Sequence, residues 1–393
     1  MNKRLRILQV FNRYLQYGGE EGSVYRIGDA LQKLHDVEYL LYSTSELLNQ
    51  RSSVLNGLAS VFYNRQVLET LRRYQEAGKF HVWQIHNVFP AMSPVVYREA
   101  LKRGIPIVHY LHNYRMSCVN GMFLNHGEAC QRCIRGNFFA AASTACWHDS
   151  HIKSGIMGLV LTSIRQMDLF SHVKYWIAIS QAQKDIHIRM GVPSDRIRVV
   201  HHFFEPKGPA LSFEQARDVV YVGRLSQEKG VGVLLDAWKR LATDKVRLRI
   251  VGEGPELTGL VNKVREERIR GVIFEGFKKP ADIQEIWQQS LFSVVPSIWE
   301  EPFGMTVLES WARGRAVLAS HIGALPELIQ HGETGWLARA GDPEVWASVL
   351  DHILSNPEEA ATMGFMGRKG LEEKFNEACW LRQMDSIYKD ILP

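Results

Sequence analysis

A chain of 393 residues is longer than one hydrophobic core normally supports, so at least two domains are expected. Hydrophobic residues make up 46% and charged residues 23%, a composition typical of water-soluble globular proteins and not of disordered chains. No run of about 18 apolar residues occurs, so no membrane-spanning helix is predicted. No signal peptide precedes the first predicted strand, which favours a cytoplasmic protein.

The net charge of +5 is divided unevenly along the chain. Residues 1–204 contain 24 Lys and Arg against 14 Asp and Glu, a balance of +10, whereas residues 205–393 contain 23 against 28, a balance of −5. A basic first half predicts an anionic partner such as a membrane surface, although a solvated basic surface explains it equally well. Nucleic acid is not expected, because no basic run or aromatic stacking motif accompanies the charge.

Strand and helix patterns alternate through the first half. Residues 5–11 predict a strand, the loop after it ends at Gly18 and Gly19, and residues 22–34 predict a helix with one apolar face. Further strands are predicted at 37–42, 81–85, 106–111 and 175–179. Because helical patterns separate most of these strands, the first half predicts a parallel sheet with helices on its faces.

The second half repeats this organisation after a linker with two prolines and one glycine at 203–211. Its predicted strands are 218–222, 246–251, 272–274, 291–296 and 316–319. Its predicted helices are about 230–241, 255–268, 281–289, 303–313 and 325–330. The predicted fold class is therefore α/β, with two Rossmann-like domains, 1–204 and 205–375, facing across a cleft.

The loop Gly223–Gly230 (GRLSQEKG) lies between a predicted strand and a predicted helix. Ligands of open parallel sheets bind beyond the carboxyl ends of the strands, where this loop lies. The cations Arg224 and Lys229, together with a helix N-terminus, suit a diphosphate group. The alternative is a solvated loop with two surface cations.

A second strand-to-helix loop, at 296–305, contains Glu301 and leads into a helix that carries Glu309, about two turns later. Two carboxylates placed in this way can bind two different hydroxyl-bearing groups. The amides of Phe303, Gly304 and Met305 are candidates for phosphate binding. The alternative is a helix-dipole role for Glu301 and a surface position for Glu309.

Two features of the first half are candidates for the same ligand. Gly18 and Gly19 permit close backbone approach, although paired glycines also occur in ordinary turns. His112 follows the predicted strand 106–111 and is either a polar group of the site or a structural histidine. No G-x-G-x-x-G follows the first strand, which argues against a dinucleotide-dependent oxidoreductase.

Four of the five cysteines cluster within residues 115–150, which are predicted to form an insertion: Cys118, Cys130, Cys133 and Cys146. Disulfides are not expected in the cytoplasm. Four thiolates suit a structural zinc ion, although only one C-x-x-C pair is tightly spaced, and buried thiols without a metal are the alternative.

The second half resembles the family 4 glycosyltransferases of the GT-B fold over nearly its whole length. The matching segments are 223–230, 251–257, 274–277, 296–310 and 323–337. Glu301 and Glu309 match the E-x7-E motif of that family. The segments YGGEEGSVYRI and PIVHYLHNYR of the first half are similar to its glycine loop and its histidine-containing strand end.

The resemblance implies a retaining transferase that takes a sugar from a nucleotide-diphosphate donor without a catalytic metal or other cofactor. It implies that Arg224 and Lys229 bind the diphosphate, Glu309 the ribose and Glu301 the sugar hydroxyls. Gly18 and Gly19 would approach the diphosphate, His112 would contact the donor sugar, and the backbone near Phe277 would meet the base. The acceptor would be a glycan or a lipid-linked molecule, in cell-surface polysaccharide or glycolipid synthesis.

Some residues depart from the family pattern, and other functions stay open. Asn113 stands where Asp is frequent, and His201 and His202 replace an Asn between the domains. The alternatives are another GT-B enzyme, such as a nucleotide-sugar epimerase or a phosphorylase, and a non-catalytic nucleotide-sugar-binding protein. Residues 376–393 are predicted to form a final helix that packs back on the first domain, or else within the second.

Overall fold

The computed structural model describes residues 4–13, 18–43, 60–241, 245–279 and 282–391. The chain forms two compact units. The first consists of Met1–His126, Cys130–Val200 and Leu381–Pro393, and the second of Gly127–Ala129 and His201–Trp380. Each unit contains a six-stranded parallel sheet, which confirms the prediction of an α/β chain with two Rossmann-like domains.

In the first unit the strands are ordered β2-β1-β3-β4-β7-β8. Their bounds are β1 Arg6–Arg13, β2 Asp36–Ser43, β3 Val82–Asn87, β4 Ile107–Tyr110, β7 Tyr175–Ala178 and β8 Ile197–Val199, and the two-residue strands β5 Leu124–Asn125 and β6 Glu128–Ala129 lie between β4 and β7 in sequence. The helices are α1 Gly19–Gln32, α2 Arg65–Gly78, α3 Val95–Lys102, α4 Phe139–Ser143, α5 His151–Gln166, α6 Leu169–His172 and α7 Gln181–Arg189.

The centre of this sheet is buried on both faces. The consecutive β1 residues Ile7, Leu8, Gln9 and Val10 are all fully buried, as are those of β3 from Val82 to Ile85. Continuous burial is expected of parallel strands covered by helices on both sides. Gln9 and Gln84 face each other in register across β1 and β3, so the sheet carries polar side chains in its interior.

The C-terminal segment completes the first unit. Helix α15 spans Glu377–Lys389, and the division between the two units falls between its residues Trp380 and Leu381. Tyr388 is fully buried, and its hydroxyl donates to Oε1 of Gln84 on β3. The hydroxyl of Tyr175 on β7 donates to Asp390, just after the helix. Two strands of the first sheet therefore bond to the last residues of the chain.

The second unit has the strand order β11-β10-β9-β12-β13-β14. Its strands are β9 Asp218–Val222, β10 Leu248–Val251, β11 Val272–Gly276, β12 Ser290–Val295, β13 Ala316–Ser320 and β14 Gly335–Ala338. Its helices are α8 Val231–Trp238, α9 Leu257–Glu266, α10 Gln284–Gln288, α11 Met305–Trp311, α12 Leu325–Leu328, α13 Pro343–Ser355 and α14 Pro357–Lys374. The order reverses between β9 and β12, the switch point of a doubly wound sheet.

A buried arginine anchors the predicted linker to this unit. Arg315 is 1% exposed, and its guanidinium donates to the carbonyl oxygens of Leu211 at 3.0 Å and Ser212 at 2.7 Å. The backbone N–H of Leu211 donates to the carbonyl of Arg313 at 3.0 Å. Burial lowers the pKa of Arg315 to about 10, so it remains charged at neutral pH. The end of the linker is therefore fixed to the second core by charge-assisted bonds.

Among the described helices, none is long and apolar enough to cross a membrane.

Candidate functional site

Two loops meet at the switch point of the second sheet. One follows β9 and spans residues 223–230, and the other follows β12 and spans residues 296–304. Strands β9 and β12 are direct neighbours in register, so both loops leave the same edge of the sheet side by side. Ligands of doubly wound folds bind outside this edge, at the point where the strand order reverses.

Lys229 and Glu301 join the two loops. The ammonium of Lys229 donates to Oε2 of Glu301 at 2.8 Å, and it lies 5.2 Å from the centre of the Trp299 ring. The hydroxyl of Ser297 and the indole N–H of Trp299 donate to the same carboxylate oxygen, each at 2.9 Å. Three donors thus hold the Glu301 side chain, and one of them carries a positive charge.

Glycines allow the close approach of the backbones around this pair. Gly230 has φ +68°, and a Cβ there would stand 2.0 Å from the carbonyl oxygen of Pro296. Gly323 has φ +57°, and a Cβ there would stand 2.5 Å from the backbone nitrogen of Glu301. Any other residue would combine a strained conformation with a collision against backbone. These glycines therefore fix the positions of Lys229 and Glu301.

Arg224 and Glu309 occupy the same two chain segments as the pair. Arg224 lies in the loop after β9 with its side chain exposed, and its carbonyl oxygen accepts a bond of 2.7 Å from the Tyr221 hydroxyl. Glu309 is half-buried on α11, and its carbonyl oxygen accepts a bond of 2.7 Å from Arg313. The helix position predicted for Glu309 is thus observed, whereas ligand contacts of either side chain stay predictions.

The residues before α11 show how the loop turns into the helix. Gly304 has φ +111°, and a Cβ there would stand 2.8 Å from Cδ2 of Leu325, so this position also requires glycine. Phe303 is buried, with ring centres 6.0 Å from His201 and 5.3 Å from His202. The two histidines that depart from the family pattern therefore pack around the loop that carries Glu301.

Met305 is the first residue of α11, where helical amides have no acceptor within the helix. Phe277 directly follows β11, and its side chain is 67% exposed. An exposed aromatic ring at the edge of the sheet is available for stacking. The predicted contact of this segment with a base stays a prediction.

In the first unit, Gly18 directly precedes α1 and Gly19 is the first residue of that helix. A Cβ at either glycine would meet no atom within 4 Å, so packing does not demand glycine here. The cap residue of this 14-residue helix, Gly18, has no side chain and so offers the first amides no side-chain acceptor of its own. This arrangement is compatible with the predicted approach of an anionic group.

His112 lies just beyond β4, where the sequence placed it. Its Nε2 atom is 2.8 Å from Nδ1 of His86, and both residues line a small pocket together with His109 and Tyr97. Burial lowers the pKa of His112 to about 3, so the imidazole is neutral at physiological pH. His112 can therefore act as a hydrogen-bonding group, and not as a cation.

The structure adds residues that sequence reasoning missed. Ser297 and Trp299 hold Glu301, and both lie inside the segment that carries the family resemblance. His86 on β3 contacts His112, and its only signal in the sequence was a polar residue directly after the predicted strand 81–85. The Asn113 departure is explained as well, because its amide donates to Glu20 at 2.9 Å. An Asp at position 113 would bring two carboxylates together.

The cysteine cluster is not supported as a zinc site. Among the residues that the structure describes, no group of three or more His, Cys, Asp or Glu is arranged to hold a metal ion. All four cysteines are free thiols, and the sulfur of Cys118 donates to Oδ1 of Asn120 at 3.0 Å. Burial raises the pKa of Cys133 to about 12 and that of Cys146 to about 11. The structural zinc predicted at Cys118, Cys130, Cys133 and Cys146 is therefore withdrawn.

Comparisons with known proteins agree with this architecture. An N-acetyl-α-D-glucosaminyl L-malate synthase of Bacillus anthracis is 26% identical over 60% of this chain and 62% of that protein. The amylovoran biosynthesis glycosyltransferase AmsK of Erwinia amylovora is 26% identical over 56% of this chain and 57% of that protein. The matches thus span about three fifths of the length of these curated relatives.

The crystal structure of HepE from Anabaena in complex with UDP-glucose superposes with a TM-score of 0.72, covering 98% of this chain and all of that one at 18% identity. This likeness shows a shared fold. The model for Glycosyltransferase Family 4 matches residues 17–207, and the model for Glycosyl transferases group 1 matches residues 205–370. Together the two models span both units, and the chain belongs to the family 4 glycosyltransferases of the GT-B fold.

Proposed function

We propose that this protein is a retaining glycosyltransferase that moves a sugar from a nucleotide-diphosphate donor to a glycan or lipid-linked acceptor. The observation that carries the proposal is the contact of Lys229 with Glu301 at the switch point of the second sheet. A cation and a carboxylate held together at this edge suit a ligand with a diphosphate and several hydroxyl groups. A related protein is named as an amylovoran biosynthesis enzyme, which supports a role in cell-surface polysaccharide or glycolipid synthesis.

In the proposed reaction the bond between the anomeric carbon of the sugar and the β-phosphate oxygen breaks. The acceptor oxygen bonds to the same face of that carbon, and its proton passes to the departing phosphate. Negative charge grows on the diphosphate as it leaves, and Lys229 and Arg224 stabilise that charge. Glu301 binds hydroxyls of the donor sugar, Glu309 binds the ribose, and the backbone of residues 303–305 binds phosphate oxygens.

Binding of the diphosphate redistributes the bonds of Lys229. The ammonium has three hydrogens, and one of them is used by Glu301 at 2.8 Å. The Ser297 and Trp299 bonds hold Glu301 in place while the remaining hydrogens of Lys229 bind phosphate oxygens. The Glu301 carboxylate thereby orients the Lys229 ammonium, and the bonds from Ser297 and Trp299 keep that carboxylate in place when the ammonium binds phosphate.

No divalent metal is required in this proposal, because the two cations supply the charge that a metal would otherwise supply. Activity measured in excess EDTA tests the point directly. Unchanged turnover is expected, and a loss that is restored by Mg²⁺ or Mn²⁺ would refute metal independence.

The donor is identified by a thermal-shift screen of UDP-, GDP- and ADP-sugars, because a ligand of the native state raises its melting temperature. The screen is repeated with Lys229→Ala, which should abolish the shift, and with Lys239→Ala as a matched control. Lys239 also pairs with a glutamate, Glu267 at 3.1 Å, but on an exposed surface. Equal shifts in all three proteins would contradict the assignment of the site.

Transfer is separated from the alternative functions by its products. Release of nucleoside diphosphate that requires added acceptor supports a glycosyltransferase. Formation of a second nucleotide sugar without acceptor would indicate an epimerase, and phosphate-dependent release of a sugar phosphate would indicate a phosphorylase. Binding without any turnover would leave a nucleotide-sugar-binding protein.

We further propose that α4 and α5 of the first unit rest on an anionic membrane surface that carries the acceptor. Phe139, Ile152 and Leu159 are 78%, 76% and 62% exposed. Ile152 and Leu159 are two turns apart and so share one face of α5. Helix α4 packs beside α5, since a Cβ at Gly155 would stand 3.7 Å from Ala142. Apolar side chains beside basic ones are typical of helices that lie in a bilayer interface.

Co-sedimentation with vesicles of phosphatidylcholine and phosphatidylglycerol tests this surface. The double substitution of Ile152→Ser and Leu159→Ser should release the protein into the supernatant. Phe365→Ser is the matched control, because Phe365 is 66% exposed on α14 of the other unit. Sedimentation that ignores the anionic lipid content, or that Phe365→Ser reduces equally, would refute the membrane proposal.

A further inference from the structure

A buried chain of polar side chains connects His112 to the C-terminal helix. The His112 Nε2 atom lies 2.8 Å from Nδ1 of His86, and Nε2 of His86 lies 3.1 Å from the amide nitrogen of Gln84. The Tyr388 hydroxyl donates to the oxygen of the same Gln84 amide. Gln84 and Tyr388 are fully buried, and His86 is 3% exposed. Each group in this chain therefore has to be paired with a partner of the opposite kind.

The orientation of Gln84 determines the state of His86. Because the Tyr388 hydroxyl donates to the Gln84 oxygen, the Gln84 nitrogen points at Nε2 of His86 and donates to it. An imidazole nitrogen that accepts a hydrogen bond carries no hydrogen of its own. The hydrogen of neutral His86 then lies on Nδ1, from which it is donated to Nε2 of His112. His112 in turn carries its hydrogen on Nδ1.

Gln9 places a second amide at His86. Its side-chain oxygen lies 2.7 Å from Nε2 of His86, while its nitrogen has no acceptor among the described residues. The Tyr39 hydroxyl, on the neighbouring strand in register with Gln9, also has no partner there. A Cβ at Gly28 would stand 1.7 Å from that hydroxyl and 3.1 Å from the Gln9 nitrogen, so the two groups border the same space.

Exchanging the two ends of the Gln9 amide changes no shape and removes the contact of its oxygen with an unprotonated His86 Nε2. Its nitrogen then shares the Nε2 lone pair with the Gln84 nitrogen, and its oxygen faces the space that the Tyr39 hydroxyl borders. The opposite state, with the hydrogen on His86 Nε2, would turn the Gln84 amide around. That state would leave the Tyr388 hydroxyl without its Gln84 acceptor. An unsatisfied buried donor costs about 1–3 kcal/mol, so the first state is favoured.

We propose that Tyr388 is a positioning residue, which acts through Gln84 and His86 to keep the hydrogen of His112 on Nδ1. This inference rests on the proposed function for its consequence, which is that His112 meets the donor sugar with Nδ1–H as a hydrogen-bond donor and binds a hydroxyl oxygen. The last helix of the chain thereby sets the chemical form of a side chain beyond β4. A metal-ligating histidine is oriented by its second hydrogen bond in the same way.

The test is ¹⁵N NMR of the free protein labelled at histidine, because protonated and unprotonated ring nitrogens differ widely in chemical shift. The His112 signals are assigned by their loss in His112→Gln. In the wild type we expect the hydrogen on Nδ1, and in Tyr388→Phe we expect it to move partly or wholly to Nε2, since the Gln84 amide is released. Should Tyr388→Phe fail to fold, Gln84→Met tests the same link. A wild-type hydrogen on Nε2, or a signal that Tyr388→Phe leaves unchanged, overturns the proposal.

Tyr175→Phe is the matched control, because it removes a hydroxyl bond to Asp390 at the end of the same helix without touching His86. It should leave the His112 signals in place, and an equal change would show that helix packing alone is being measured. With the nucleotide sugar selected by the screen, Tyr388→Phe should lower kcat about tenfold and leave binding of the nucleoside diphosphate alone unchanged. If His112→Gln retains full kcat, the assignment of His112 to the sugar fails, while the NMR result still decides the role of Tyr388.

Discussion

Replacing Lys229 by alanine tests the site most directly. The ammonium lies 2.8 Å from the Glu301 carboxylate, and the Lys229 side chain is 27% exposed. A diphosphate oxygen about 4 Å from this charge would interact with it by about 4 kcal/mol at an effective dielectric constant of 20. Partial exposure screens this interaction, and about 2–3 kcal/mol of transition-state stabilisation remains. The expected loss in kcat/KM is therefore roughly 30- to 150-fold.

The stability of the variant should change far less than its activity. Ser297 and Trp299 still donate to Glu301 at 2.9 Å each, so the carboxylate stays paired after the lysine is removed. Loss of a partly exposed ion pair lowers the free energy of unfolding by about 1 kcal/mol or less. Lys229→Arg, which keeps the charge, should recover part of the activity.

The assay is acceptor-dependent release of nucleoside diphosphate, measured with the wild type, Lys229→Ala, Lys229→Arg and the Lys239→Ala control. Urea titration of each protein shows whether a loss of rate reflects unfolding. Turnover of Lys229→Ala within threefold of the wild type would refute the diphosphate assignment. So would a loss of equal size in Lys239→Ala, because that lysine lies on an exposed helix surface.

Three further predictions concern the ribose site, a loop contact and a buried histidine. Glu309→Gln should weaken binding of the nucleoside diphosphate selected by the screen about tenfold in calorimetry, since hydrogen bonds to charged groups contribute about 1.5–3 kcal/mol, and the 2′,3′-dideoxy form of that nucleotide should show no such difference. Gly230→Ala should lower the free energy of unfolding, measured in urea, by about 1–3 kcal/mol, because φ is +68° and the new Cβ would meet the Pro296 carbonyl. Gly232→Ala is the control, and it should not destabilise the protein because a Cβ at Gly232 meets no atom within 4 Å. Burial lowers the pKa of His187 to about 4, below the value of about 6.5 in the unfolded chain. Between these two values the unfolded state binds a proton that the folded state does not. The free energy of unfolding therefore falls as the pH drops from about 6.5 to 4, by at most about 3 kcal/mol. His187→Gln should flatten that pH dependence in chemical denaturation, and parallel curves for the variant and the wild type would contradict it.

The alternation of strands and helices was predictable because burial on both faces produces continuous apolar runs. The strand predicted at 218–222 is β9 without change, and that predicted at 175–179 differs from β7 by one residue. Strand β14 was missed, since Gly335–Ala338 is short and begins with a glycine at φ +157°. Helix α11 begins at Met305 and not at 303, because the left-handed Gly304 stops the helix there.

The site was predictable only in part. The sequence identified the loops of Lys229 and Glu301 from their composition, but the contact between them depends on the adjacency of β9 and β12, which no local pattern determines. Gln84 and Tyr388 are 304 residues apart, so no sequence pattern could predict the hydrogen-bonded link from His112 to the last helix. For the cysteine cluster, proximity in sequence does not establish that the thiols are arranged around a metal, and the described residues show no such arrangement.

The assignment of Leu381–Pro393 to the first unit affects how this protein is made. On the ribosome, the strands from Arg6 to Val199 are complete long before Tyr388 and Asp390 emerge to bond with Gln84 and Tyr175. The Gln84 oxygen and the Tyr175 hydroxyl therefore lack these partners until residues 388–390 have been synthesised. Recombinant fragments that stop near residue 200 should aggregate. The same fragments should remain in solution when residues 377–393 are fused to them through a flexible linker.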